Sequence, residues 1–192
     1  KSLSSSDPLI FAPRNSWRMD GGSFYYPEMQ IGQNLPNGVM VSYYIGNKTD
    51  KPITLEFYDQ YDSLLVKFSS DKTLKGDRVK TETSFYADEK KKQNNAAVSS
   101  QIGFNRFTWN MRMPDAKESP VVLWGASNTG PKVVPGTYSV SMKSGDSLIA
   151  KKKFIIESAV QVPIPDLQAQ YDLHIQINKK VTEISGATVT IT

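Results

Sequence analysis

Chemistry in a folded chain needs a nucleophile, a proton carrier, a metal-binding set or a stacking surface, and this sequence is short of the first three. It has no cysteine and a single histidine, His174. Thiolate nucleophiles, disulfides, Cys-based zinc sites and His clusters are thereby excluded. As a general base, His174 needs an aligned nucleophile or carboxylate, and its sequence neighbours offer only Asp172 and Gln170. A packed structural role is the expected one. Glycoside hydrolysis needs two carboxyls about 5–9.5 Å apart across a cleft. The nearest pairs, Asp59 with Asp62 and Asp88 with Glu89, sit in a turn and a polar loop, where turn chemistry and solubility account for them. Glycine-rich phosphate loops and paired metal-ligand motifs are absent. No catalytic, metal-binding or cofactor-binding residue is assigned, and no cofactor is expected.

What remains is stacking surface. Trp17, Tyr25, Tyr26 and Trp124 lie outside the clearest core positions, and exposed rings of this kind stack on sugars or protein partners. These four are the candidate ligand or partner contacts. Trp109 is different, because its alternation with Phe107 and Met111 marks a core residue.

Composition sets the outer bounds. Hydrophobic residues make up 39% of the 192 and charged residues 22%, too apolar for a disordered chain and too polar for a membrane protein. No run approaches the ~18 apolar residues of a spanning helix. The 23 Lys and Arg against 19 Asp and Glu leave a formal charge of +4 without a basic stripe. Lys90-Lys91-Lys92 lies in a polar stretch beside Asp88 and Glu89. Lys151-Lys152-Lys153 opens the apolar run Phe154-Ile155-Ile156, where lysines discourage edge-to-edge strand pairing. Nucleic acid is not an expected partner, since no basic-and-aromatic motif of the known modules is present. The opening Lys1-Ser2-Leu3-Ser4-Ser5-Ser6 is polar with no apolar segment behind it, as in a mature or trimmed chain.

The hydrophobic periodicity says which elements must position these residues. Residues 1–36 carry Phe11, Pro13, Trp17, Phe24 and Pro27 without a clean period, which predicts an extended aromatic arm lying against a surface. After the turn Leu35-Pro36-Asn37-Gly38, residues 37–160 read as an immunoglobulin-like antiparallel β-sandwich of about seven strands. Val39–Ile45 is rich in β-formers, Ile53, Leu55 and Phe57 share one face, and Leu64–Phe68 closes a hairpin through Asp59–Asp62. Residues 69–102 are polar and too long for an ordinary connection, so they are expected to form a long loop or insertion. Beyond them, Phe107, Trp109 and Met111 alternate with Arg106, Thr108, Asn110 and Arg112, and Val121–Trp124 is a further short apolar run. Pro135-Gly136 turns into Thr137–Met142, and Ser144-Gly145-Asp146-Ser147 leads into Leu148–Ile156. The expected core is Phe107, Trp109, Met111, Tyr138, Val140, Phe154 and Ile156.

From Pro163 the period changes from two to about 3.6. Pro165-Asp166 starts a helix, and Leu167, Tyr171, His174, Val181 and Ile184 form one stripe with Ile177 beside it. Ser185-Gly186 is expected to end it, giving a C-terminal α-helix over 163–186. That stripe must cover the sandwich, or drive self-association with its copy in another chain.

Five segments, in order, carry a resemblance: Asp7-Pro8-Leu9-Ile10-Phe11-Ala12-Pro13-Arg14, Asn34-Leu35-Pro36-Asn37-Gly38, the run from Gly103 to Ala116, Gly130-Pro131, and Val134-Pro135-Gly136-Thr137-Tyr138-Ser139-Val140. Together they resemble the C-terminal region of bacterial secreted β-propeller proteins with BNR or sortilin-like (VPS10-type) repeats, often labelled glycosyl hydrolase. The tryptophan strand and the Pro-Gly-Thr-Tyr hairpin are also similar to the flagellar-hook-capping (FlgD-type) immunoglobulin-like module. In that module Asp often stands where this chain has Asn110. The resemblance implies a domain that follows a propeller and lies outside the cytoplasm, in the periplasm, at the cell surface or secreted. Any hydrolase label would belong to the propeller, so this chain is not expected to be an enzyme. The expected role is a non-catalytic accessory or interaction module that buttresses a neighbouring β-propeller domain or another protein. The alternative is a carbohydrate-binding module whose exposed aromatics bind glycan.

Overall fold

The computed structural model describes residues 7–19, 37–71, 98–117, 128–159 and 161–191. Eight strands and one helix occur among them: β1 (Leu9–Ile10), β2 (Ser16–Arg18), β3 (Val39–Ile45), β4 (Ile53–Tyr58), β5 (Leu64–Ser69), β6 (Gly103–Trp109), β7 (Gly136–Ser144), β8 (Ser147–Ser158) and α1 (Ile164–Ile191). The strands form a three-stranded sheet in the order β1-β3-β6 and a five-stranded sheet in the order β2-β8-β7-β4-β5. The chain is thus mainly β, a two-sheet sandwich with a C-terminal helix. Among the described residues, six strands lie between residues 39 and 158. The Val121–Trp124 run expected to add another falls outside the described residues.

Period-two patterning builds the core. Val39, Val41, Tyr43 and Ile45 of β3 are fully buried, and they face Leu55 and Phe57 of β4 and Val140 and Met142 of β7, also fully buried. Aromatic rings fill the centre. Phe57 contacts Trp109 at 4.5 Å between ring centroids and also touches Phe68, Phe107 and Phe154. All seven residues expected in the core are buried. With no disulfide to join the sheets, this ring cluster ties them together.

The described part of the arm joins both sheets. β1 pairs antiparallel with β3, placing Ile10 beside Tyr43 in the core, and β2 pairs in parallel with the end of β8. On that same edge, away from β7, β8 up to Ile155 has no strand partner among the described residues, and Lys151-Lys152-Lys153 sits on that stretch. Charged side chains there oppose edge-to-edge association.

Beyond β6 the chain makes a close-packed ribbon. Trp109 Nε1 donates to Arg112 O at 2.9 Å, and Val133 N–H donates to Met111 O at 2.8 Å. These bonds and its own burial hold Met111 at a left-handed φ of 62°, an unfavourable conformation for a side chain of its size. Residues 112–117 then run beside 128–132 through Met113 N–H to Pro131 O and Ala116 N–H to Asn128 O, each 2.9 Å.

The helix docks on the sandwich and on this ribbon. Leu167 is buried and Tyr171 packs against the core. Asn178 Nδ2 donates to Pro114 O at 3.4 Å, and Lys117 N–H donates to Thr182 Oγ1 at 3.3 Å. Two expectations are corrected. The Ser185-Gly186 pair does not end the helix, which continues to Ile191. Ser185 is buried, and an interior glycine costs a helix only about 1 kcal/mol. Nor do Ile177 and Ile184 face inward, for they are 50% and 62% exposed and join Leu173 on the outer face. The docking partner is polar backbone, so the inward positions go to Asn178 and Thr182, which can hydrogen-bond it.

Candidate functional site

Strand parity determines which side chains leave the core. On β3, Met40, Ser42 and Tyr44 project from the face opposite Tyr43. On β6, Phe104, Arg106 and Thr108 project from the face opposite Phe107 and Trp109. The register aligns them. Tyr44 stands between Leu9 and Phe104, and Ser42 is opposite Arg106, with Phe11 N–H donating to Ser42 O at 3.0 Å. Two transverse rows result on the outer face of the three-stranded sheet, Leu9–Tyr44–Phe104 and Phe11–Ser42–Arg106.

The rings of these rows meet. Phe104 stacks on Phe11 at 6.1 Å with 24° between planes, and Tyr44 meets Phe104 edge-on at 5.2 Å. Phe104 nonetheless remains 66% exposed, with Ile102 at 62% beside it at the strand's start. An apolar aromatic surface of this kind offers rings for contact with a ligand or another surface. Arg106, exposed at its border, adds a cation that can pair or stack.

The residues nominated from sequence fare differently. Trp17 lies on β2 opposite Glu157 and is 53% exposed, away from the Phe104 rows. Tyr25, Tyr26 and Trp124 lie outside the described residues. Phe11, Tyr44 and Phe104 were not nominated, although the parity that puts Arg106 and Thr108 outside puts Phe104 there too. His174 is half-buried on α1. Asp59 and Asp62 do turn chemistry: Asp59 Oδ1 accepts the Tyr61 and Ser63 N–H groups at 2.8 Å each, and Asp62 pairs with Lys151 at 2.7 Å. Asp88 and Glu89 lie outside the described residues. Among the described residues no group of three His, Asp or Glu is placed to hold a metal ion.

The outer face of the five-stranded sheet is polar instead. Glu56, buried at 5% exposure, lies 2.7 Å from Lys143 Nζ and 3.7 Å from Lys67 Nζ and accepts the Tyr58 hydroxyl. Burial pushes its carboxyl up, but the Lys143 and Tyr58 hydrogen bonds and the two lysine charges outweigh that and hold it below the ordinary value. A depressed carboxylate contributes stability above its unfolded pKa and loses it as pH falls through the folded one. Glu56→Gln is therefore expected to flatten the acid side of a urea-midpoint profile below about pH 4.5. An unchanged acid limb would remove Glu56 as its source. On the alkaline side, burial pushes the Tyr43 hydroxyl up to about 12, so its contribution is full below pH 10 and lost as pH rises towards 12.

Compared with known proteins, the chain matches no family model, no curated sequence and no solved structure. No helix among the described residues is long and apolar enough to cross a membrane.

Proposed function

We propose that this chain is a non-catalytic accessory and interaction module of a secreted or cell-envelope protein, which positions a neighbouring domain or partner by packing. The observation that carries the reading is the Leu9–Tyr44–Phe104 and Phe11–Ser42–Arg106 surface, exposed at Leu9, Phe104 and Arg106 over a core that is buried beneath it. The resemblance to regions that follow a β-propeller makes that propeller the first partner to test. An immunoglobulin-like assignment is supported by Tyr138, whose hydroxyl donates to Val134 O four residues upstream, as in the tyrosine corner of Greek-key sandwiches.

The test is titration of the isolated propeller domain with this chain. Phe104→Asp is expected to lower the melting temperature by only a few degrees, since the ring is already 66% exposed and loses just its Phe11 and Tyr44 contacts, and to weaken binding about tenfold or more. No binding by the wild type, or equal binding by the variant, would overturn the docking role of this face.

A carbohydrate-binding role is the second reading, favoured by the near-parallel Phe11 and Phe104 rings. It predicts that soluble glycans quench intrinsic fluorescence and compete for the same face. Self-association is supported by the outward Leu173, Ile177 and Ile184 stripe. Sedimentation is expected to show a concentration-dependent dimer that Ile177→Asp abolishes. A monomer at all concentrations would dismiss it.

A further inference from the structure

At the end of the sandwich where Trp109 meets Tyr138, far along β6 from Phe104, a cavity of about 240 Å³ opens between the β4–β5 turn, the approach to β7 and the first turns of α1. Its walls are mixed, aromatic and apolar at Tyr138, Tyr171, Leu65 and Pro135 and polar at Thr137 and Gln168, with Asp59 on one side and Tyr61, 80% exposed, at the rim. We propose that this cavity is a receptor for a lysine or arginine side chain presented by a partner protein.

Charge and size support that ligand class. Asp59 is the one carboxyl side chain among the lining residues, and none of them is basic. The Asp59 turn is fixed, because Oδ1 accepts two backbone N–H groups while Oδ2 accepts none among the described residues. Its charge reaches both ring hydroxyls. Burial chiefly raises Tyr138 and Tyr171, and Asp59 raises both further, with Asp172 adding to Tyr171. Arg18 is the cation whose charge acts on Tyr138, and it does not line the cavity. The positive end of α1 is partly closed, since Pro163 O accepts the Asp166 and Leu167 N–H groups. The volume suits one long side chain rather than a drug-sized molecule.

The same turn already holds one ammonium group by these means. Lys151 Nζ lies 2.7 Å from Asp62 and 4.2 Å from the centroid of the Tyr58 ring. An aspartate and a tyrosine face together hold a cation there at the surface, with Asp62 75% exposed. On the cavity side, Asp59 with Tyr171 and Tyr61 offers the same pair of groups with no basic residue of this chain among them.

The test is a backbone-amide NMR titration of the full chain with N-acetyl-lysine methylamide. The Thr137, Gln168 and Tyr171 amides are expected to shift saturably, with a dissociation constant on the order of millimolar. Asp59→Asn keeps an acceptor for the turn and removes only the charge, and should weaken binding about fivefold to tenfold. Tyr171→Leu keeps apolar packing and removes the ring, with the same expected effect. Equal shifts with the uncharged N-acetyl-norleucine methylamide would overturn the proposal in favour of a merely apolar pocket. Stronger shifts with glucose would overturn it in favour of a polyol site, and no shift at 50 mM of any probe would overturn it outright. None of these outcomes bears on the Phe104 face, which the propeller titration tests separately.

Discussion

Trp109→Ala is expected to destabilise the chain by about 3–5 kcal/mol, the range for truncating a large ring in a close-packed core. Trp109 is completely buried and stands 4.5 Å from Phe57 and 6.4 Å from Tyr138, so it links both sheets. Alanine leaves a cavity that neither sheet can collapse into, because the backbone around it is tied by strand pairing. A second loss follows from the indole. Trp109 Nε1 caps Arg112 O, and that bond helps hold Met111 in its left-handed conformation. Against a net stability of typically 5–15 kcal/mol, the combined loss is a large fraction. Urea unfolding should show a lower midpoint, and thermal unfolding a melting temperature lower by about 10 °C or more. Trp109→Phe, which keeps most of the ring and loses the hydrogen bond, should fall between the two proteins. A cost below about 1 kcal/mol for the alanine variant would mean the ring does not tie the sheets together.

Gly130→Ala is expected to cost about 3 kcal/mol or more, although it adds a single methyl group. A Cβ on Gly130 would meet Met113 O at 2.0 Å, Met113 C at 2.6 Å and Pro114 O at 2.6 Å. All three are backbone atoms, so no rotamer change can make room. Gly130 is also pinned on both sides, its N–H donating to Asp115 Oδ1 and its carbonyl accepting from Arg112 Nη1, each at 2.9 Å. The 112–117 and 128–132 strips must separate, and the helix follows because Asn178 and Thr182 bond the first of them. Hydrogen exchange should show lost protection at the Met113 and Ala116 amides and along the middle of α1. Unchanged protection there, with a cost under about 0.5 kcal/mol, would mean the ribbon can open without strain.

Several elements were legible because their signals are local. Val39–Ile45, Ile53–Tyr58 and the β7–β8 hairpin follow from alternation and from turn residues such as Gly145, whose φ is 57°. The turn role of Asp59 was likewise legible, because an aspartate bonding amides two and four residues on needs no distant partner.

Other features depend on long-range register. Ser16–Arg18 pairs in parallel with Ile156–Ser158, strands separated by nearly the whole chain, and no local pattern in a three-residue strand marks its partner. The Phe104 surface needs β1, β3 and β6 aligned before Leu9, Tyr44 and Phe104 become one row. The cavity at Asp59 needs the β4–β5 turn and α1 brought together. The helix shows the limit most clearly. Its apolar residues predict an inward stripe, yet the surface it meets is ribbon backbone, so Asn178 and Thr182 turn inward while Ile177 and Ile184 remain outside.

The sequence by itself determined a mainly β chain with a C-terminal helix, an aromatic core and little equipment for catalysis, since composition and periodicity are properties of neighbouring residues. Only the tertiary structure decided which rings face outward together and where an acid stands beside tyrosines. Those juxtapositions are set by strand register and helix docking, whose free energy comes from contacts between residues distant in the chain.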